Sequence, residues 1–98
     1  MADALDTQQI EKALGDLPGW SFDNNKLTRA FKFGDFREAV SFIVRIAFEA
    51  EQRQHHPELR NVYNNVTVSL STHDAGDVVT EKDVDLAKAI QAIDWTAG

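Results

Sequence analysis

No cysteine occurs among the 98 residues. Disulfides, thiolate metal sites and a cysteine nucleophile are therefore excluded. Basic residues are in the minority, ten against sixteen acidic ones, for a formal net charge of −6. Arg29, Lys32, Arg37, Arg45, Arg53 and Arg60 are scattered rather than gathered into a stripe. Phosphate contacts supply most nucleic-acid affinity, so no direct nucleic-acid partner is expected. No apolar run approaches the roughly 20 residues of a membrane span, and no membrane partner is expected. The start, Met1-Ala2-Asp3-Ala4-Leu5-Asp6, lacks the basic and apolar stretches of a signal peptide. A cytoplasmic location is the expectation. Asn65-Val66-Thr67 spells a glycosylation acceptor, incidental without a secretion signal. Internal repeats and low-complexity segments are also lacking.

What is present reads as one globular domain over residues 1–98. Apolar residues make up 43% and charged residues 27%, the balance of a packed chain rather than a disordered one. The length suits one domain and is too short for two.

Residues 6–17 have helical spacing, with Ile10, Ala13, Leu14 and Leu17 on one face. Asp6 is a candidate N-cap with Gln9 three residues on, and Leu5 can staple onto Ile10. Pro18-Gly19 ends the segment. Trp20 and Phe22, the Asn24-Asn25 turn, and Leu27 to Phe33 read as a hairpin. Arg29 interrupts the apolar face formed by Leu27, Phe31 and Phe33. Asp35 opens a second helix with Glu38 at the capping-box position. Phe36, Ala39, Val40, Ile43, Ala47 and Ala50 follow helical spacing there. Phe42, Ile46 and Phe48 widen the apolar surface, which predicts a helix covered on more than one side.

Pro57 disfavours helix at His56 and turns the chain extended. Leu59 to Val62 is a short strand. Tyr63-Asn64-Asn65 is a turn, since asparagine tolerates positive φ. Val66, Val68 and Leu70 alternate with polar residues in a half-buried strand, with His73 on its polar side by parity. Thr80 caps a last helix with Asp83 three residues on and a Val79–Val84 staple. Leu86, Ala89, Ile90 and Ile93 form its buried stripe, and the tail after Trp95 is expected to be loose. The order α-β-β-α-β-β-α predicts an α+β fold: a four-stranded antiparallel sheet with three helices on one face.

All three histidines lie near the middle of the chain: His55 and His56 at a helix exit, His73 at a strand exit. Histidine both gives and takes protons near neutral pH, so a proton-transfer site is the first hypothesis. Glu51 stands one helical turn before His55, on the same face. A metal site is a rival, because three histidines and a carboxylate suit zinc or iron. No HExxH pattern occurs, however, and adjacent histidines rarely both reach one ion. Asp83 has a second reading as the mere capping partner of Thr80. Glu51 can be an ordinary solvated residue, and Pro57 a helix stop.

These residues closely resemble the pterin-4a-carbinolamine dehydratase family. The pattern is an acidic residue, His-His-Pro, an aromatic, a third histidine and an aspartate. Here it is Glu51, His55-His56-Pro57, Tyr63, His73 and Asp83. Gly19-Trp20, the Leu27/Arg29/Phe31/Phe33 set, Asn61-Val62-Tyr63-Asn64 and Leu70-Ser71-Thr72-His73 also match, so the resemblance covers nearly the whole chain. It implies dehydration of a 4a-hydroxytetrahydropterin to quinonoid dihydropterin, with no metal and no cofactor, since the pterin is the substrate. It implies acid/base roles for His55 and His73, and ring binding with a share in proton transfer for His56. It further implies supporting roles for Glu51, holding His55, and for Asp83, with Pro57, Thr72 and Asp74 at the substrate. Relatives form dimers or tetramers, and the substrate links the family to aromatic amino-acid hydroxylases. Some members resemble dimerisation cofactors of transcription factors or assembly factors. A non-catalytic or bifunctional protein-binding module is therefore the alternative. The chain departs from the family pattern in three places, one of them the charge that Asp77 adds near the pocket mouth, with no effect derivable from the sequence. Leu59 stands where many relatives carry an aromatic, and Gly76-Asp77-Val78-Val79 is one residue longer than the usual Gly-Gly loop.

Overall fold

The computed structural model describes residues 3–96. The first two residues and the end of the tail expected to be loose, 97–98, lie outside that range. Within it run α1 (Thr7–Leu14), β1 (Ser21–Asp23), β2 (Lys26–Lys32), α2 (Phe36–Arg53), β3 (Glu58–Val62), β4 (Asn65–Leu70) and α3 (Glu81–Ala92). A short 3-10 turn, His73–Ala75, separates β4 from α3. The sheet order is β1-β2-β4-β3 with every neighbouring pair antiparallel. This is the predicted α+β order.

Helix starts follow local chemistry. Asp6 closes a full capping box with Gln9, at 2.8 and 2.9 Å. Asp35 accepts from the Glu38 N–H at 2.9 Å, but Glu38 returns its bond to the Gly34 N–H rather than to Asp35. α1 is shorter than the predicted 6–17. Tight turns from Ala13 to Asp16 and from Leu14 to Leu17 close it beyond Gly15 and still bury Leu17. Asn24 and Asn25 both take positive φ in the two-residue β1–β2 turn. The β3–β4 turn differs from expectation. Tyr63 carries the positive φ of 51°, because Asn64 is bound to Phe33 through both its amide group and its carbonyl, at 2.9 Å each.

Register places the core on one face of the sheet. Leu27 faces Leu70, Arg29 faces Val68 and Phe31 faces Val66. The apolar members of this set are buried under Phe42 and Ile46 of α2 and Leu86 and Ile90 of α3. Thr28, Thr67, Ser69 and Arg60 belong to the other parity, which is mainly polar but also carries Ala30 and the exposed Val62. Arg29 is accommodated on the core face by its length. Its guanidinium lies 4.4 Å over the Phe31 ring, 3.3 Å from Asp94, and donates to the Pro18 carbonyl at 3.1 Å. The chain passes so close that a Cβ on Gly19 would sit 2.9 Å from Arg29 Nε, and Gly19 also has φ +87°.

α2 carries two apolar stripes, and the core selects Ala39, Phe42, Ile46 and Ala50. Phe42 meets Phe31 and Phe33 at centroid distances of 4.8 and 5.0 Å. Phe36, Val40, Val44 and Phe48 are exposed, Phe48 by 72%. Of the predicted stripe, Ala39 and Ala50 are buried and Ile43 packs against the core, whereas Phe36, Val40 and Ala47 lie on the outer side. In α3 the buried set includes Val84 and Ala87 with Leu86 and Ile90, while Ala89 and Ile93 are only partly covered. Phe42→Ala is expected to cost about 3–5 kcal/mol of unfolding free energy, measured in urea, because it empties the centre of the aromatic cluster.

Candidate active site

The exit of α2 is set by Gln54, whose backbone is left-handed at φ 51° and ψ 40°. Its N–H bonds to the Glu51 carbonyl, and the His55 N–H reaches back to the Ala50 carbonyl at 3.1 Å. This reversal sends His55 inward and His56 outward. His55 is 9% exposed, and its Nε2 lies 2.6 Å from Asp83 Oδ1. Asp83 is fully buried. Its Oδ2 accepts from the Thr80 N–H at 2.9 Å and from Thr72 Oγ1 at 2.8 Å. Since Thr72 gives its only hydroxyl proton to Asp83, Thr80 Oγ1 must donate across the 2.6 Å Thr72–Thr80 contact. Asp83 acts throughout as an acceptor, so His55 Nε2 carries the bonding proton. Nδ1 is then the ring nitrogen left to the cleft that His55 lines.

Glu51 does not hold His55, as its spacing predicted. It meets His56 Nε2 at 2.6 Å, both side chains being exposed. The four-residue spacing fails because the helix ends at Arg53 and the left-handed Gln54 swings His55 off the helical face.

His73 is not on the strand. β4 ends at Leu70, Thr72 makes an isolated bridge with Val78, and His73 opens the 3-10 turn between them. Inside this bridge Gly76 and Asp77 take φ of 95° and 59°. Asp83 keeps its contact with Thr72 regardless. Asp77 Oδ1 lies 2.8 Å from His73 Nδ1. That hydrogen bond, then the charges of Asp77 and Asp74, raise the His73 pKa above the ordinary 6.5.

The three histidines, Thr72 and Asp74 line one open cleft of about 240 Å³. Gln54, Ser71 and Lys82 complete its wall. Sequence reasoning missed these three. Lys82, one residue before Asp83 in the first turn of α3, was the most legible of them. Pro57 is not among the lining side chains and acts on the site through the backbone. Leu59 packs against the core, and Tyr63 sits at the far turn of the β3–β4 hairpin. Each histidine has its own carboxylate. Among the described residues, no three histidine or carboxylate side chains come together in a way that could hold a metal ion.

Fold and cleft define a small α+β protein whose histidine–carboxylate pairs surround an open pocket. A family model described as Pterin 4 alpha carbinolamine dehydratase matches residues 3–93. A relative from Opitutus terrae, provisionally named pterin-4-alpha-carbinolamine dehydratase, is 52% identical over 97% of this chain and 98% of its own length. One from Sulfolobus acidocaldarius, with the same provisional name, is 48% identical over 91% and 97%. A crystal structure from Brucella melitensis, titled transcriptional coactivator/pterin dehydratase, superposes with a TM-score of 0.87 at 40% identity, covering 92% of this chain and 97% of that one. A pterin dehydratase-like RuBisCO assembly factor of the alpha-carboxysome shares the fold, with a TM-score of 0.60 at 20% identity over 74% and 83%. The chain belongs to the pterin-4-alpha-carbinolamine dehydratase family, and its enzyme class is that of the hydro-lyases.

Asp83→Ala removes the acceptor shared by Thr80, Thr72 and His55 at once. A loss on the order of 3 kcal/mol is expected in urea unfolding, well beyond the ~1 kcal/mol of a lost helix cap alone.

Proposed function

We propose that the chain dehydrates a 4a-hydroxytetrahydropterin to quinonoid dihydropterin and water by metal-free general acid/base catalysis. The single observation that carries this reading is the cleft itself. It is bordered by a buried histidine whose Nε2 is tied to Asp83 and by an exposed histidine whose Nδ1 is tied to Asp77. The two come from different elements, so each can address a different part of a bound ring. Family membership supplies the substrate class.

The chemistry fits these two groups. Hydroxide is a poor leaving group, so the 4a-oxygen needs a proton as the C–O bond breaks. The neighbouring ring nitrogen gives up its proton, and its electron pair forms the C=N bond as water departs. His73, held protonated to higher pH by Asp77 and Asp74, is suited to protonate the leaving oxygen. His55, whose Nε2 is occupied by Asp83 and whose Nδ1 is left over, is suited to take the proton from nitrogen. The proton gained by one and lost by the other balance, and exchange with solvent through the exposed His73 resets the pair. His56, oriented by Glu51, contributes to ring binding, and Thr72 and Asp74 lie where polar ring edges would bind. No cofactor is required.

The outer stripe of α2 supports self-association as a homodimer or homotetramer. Val44 and Phe48, with Ile43 and Ala47, form an apolar hollow, and exposed Phe36 and Val40 extend it. The same stripe is the feature that a second, protein-binding role would use. An aromatic amino-acid hydroxylase is the reaction class that would generate the substrate, and the cytoplasm is the proposed setting. Among the described residues no helix is long and apolar enough to cross a membrane.

Loss of 4a-hydroxytetrahydropterin can be followed by absorbance. His55→Ala and His73→Ala are each expected to lower kcat about 10²–10⁴-fold, and His56→Ala to raise KM more than it lowers kcat. Exhaustive chelation is expected to leave the rate unchanged. Full activity in His73→Ala would refute the two-sided scheme, and loss on chelation the metal-free one. Separately, Phe48→Glu is expected to reduce the mass measured by light scattering while preserving the circular dichroism of the fold. An unchanged mass would remove the α2 stripe as the interface.

A further inference from the structure

We propose that Asp77 is a positioning residue for His73, holding the ring with Nδ1–H directed at its carboxylate so that Nε2 is presented to the cleft. This rests on the acid/base reading of His73 given above. Gly76 and Asp77 are consecutive residues in left-handed backbone, φ 95° and 59°, a conformation that aspartate tolerates better than most residues. The backbone braces Asp77 independently of its side chain. Its N–H donates to the Thr72 carbonyl at 3.1 Å, the Gly76 N–H donates to the His73 carbonyl at 3.0 Å, and Thr72–Val78 closes the loop at 2.8 Å. The carboxylate is thereby placed four residues beyond His73 and 2.8 Å from its Nδ1.

The His73 side chain is 90% exposed. No packing restrains its ring, so a hydrogen bond is the available means of fixing orientation and tautomer. An ionised carboxylate only accepts, hence Nδ1 carries the proton and Nε2 is the atom that gains or loses one. The charged surroundings are mixed. Asp74 on the same turn acts with Asp77 to keep the ring protonated. Lys82 from α3, and His55 and His56 from the α2 exit, line the same cleft, where positive charge on any of them would oppose protonation of the ring.

The test uses the full chain with two substitutions that the backbone accepts. Asp77→Asn keeps an acceptor oxygen and loses the charge. Asp77→Gly loses both and retains the left-handed turn. Nitrogen-15 NMR of the imidazole rings reads the tautomer and the titration midpoint of His73 without substrate. The expected parent result is an Nδ1–H tautomer with a midpoint above the ordinary histidine value. The midpoint should move to lower pH in both variants, and the tautomer preference should disappear in Asp77→Gly. The alkaline limb of the dehydratase pH profile should move the same way, with KM little affected. Unchanged tautomer and midpoint in Asp77→Gly overturn the proposal, as does an alkaline limb that stays in place in an active variant. A parent chain without dehydratase activity would instead refute the reaction proposed above, while the ring titration still decides the role of Asp77.

Discussion

The buried Asp83 carboxylate is the constraint on which the architecture of the site depends. A carboxylate removed from water is tolerated only when its oxygens are met by donors. Here the donors come from three separate segments: the Thr80 N–H at the start of α3, the Thr72 hydroxyl after β4, and His55 after α2. Satisfying one side chain therefore fixes the relative placement of two helices and a strand exit. Arg53 reinforces the same junction by joining the last turn of α2 to Asp85 of α3 at 2.8 Å. The wall of the cleft formed by His55 inherits the rigidity of the core.

The other two histidine–carboxylate pairs are physically different. His56–Glu51 and His73–Asp77 are solvent-exposed on both sides, where ion pairs add little stability. Their contribution is orientation and charge at the cleft. The site thus combines one group whose environment is set by folding with others set by local contacts. That division is what the proposed acid/base dehydration would call on, a proton acceptor and a proton donor with different surroundings.

Much of this was legible in the chain. Capping patterns at Asp6 and Thr80, the paired asparagines at 24–25 and the alternation of Val66, Val68 and Leu70 each encode local structure directly. Family resemblance brought the three histidines, Thr72 and Asp74 to one site, and they do line one cleft. What escaped were outcomes of competition between neighbours. The i, i+4 rule assigned Glu51 to His55, but the left-handed Gln54 ended the helix first, so Glu51 reached His56 and Asp83 reached His55. Asparagine preference assigned positive φ to the 64–65 step, but Asn64 was already engaged by Phe33, and Tyr63 took the strained position. α2 has two apolar stripes of similar content, and only the aromatic cluster around Phe42 decides which one faces the sheet. Asp83 was read as either a cap or a site residue; it fills the cap and holds His55 with opposite oxygens.

The small bridge between Thr72 and Val78 has a consequence for how this site can change over time. Everything between those residues is a closed loop whose ends are pinned, so an inserted or altered residue inside it is not transmitted to Thr80, Asp83 or His55. One half of the cleft is thereby insulated from the other. Mutation can try new neighbours for His73 without endangering the fold, whereas almost any change around Asp83 is judged first on whether the protein still assembles. Variation among related chains should accordingly collect on the loop side, leaving a fixed partner opposite an adjustable one.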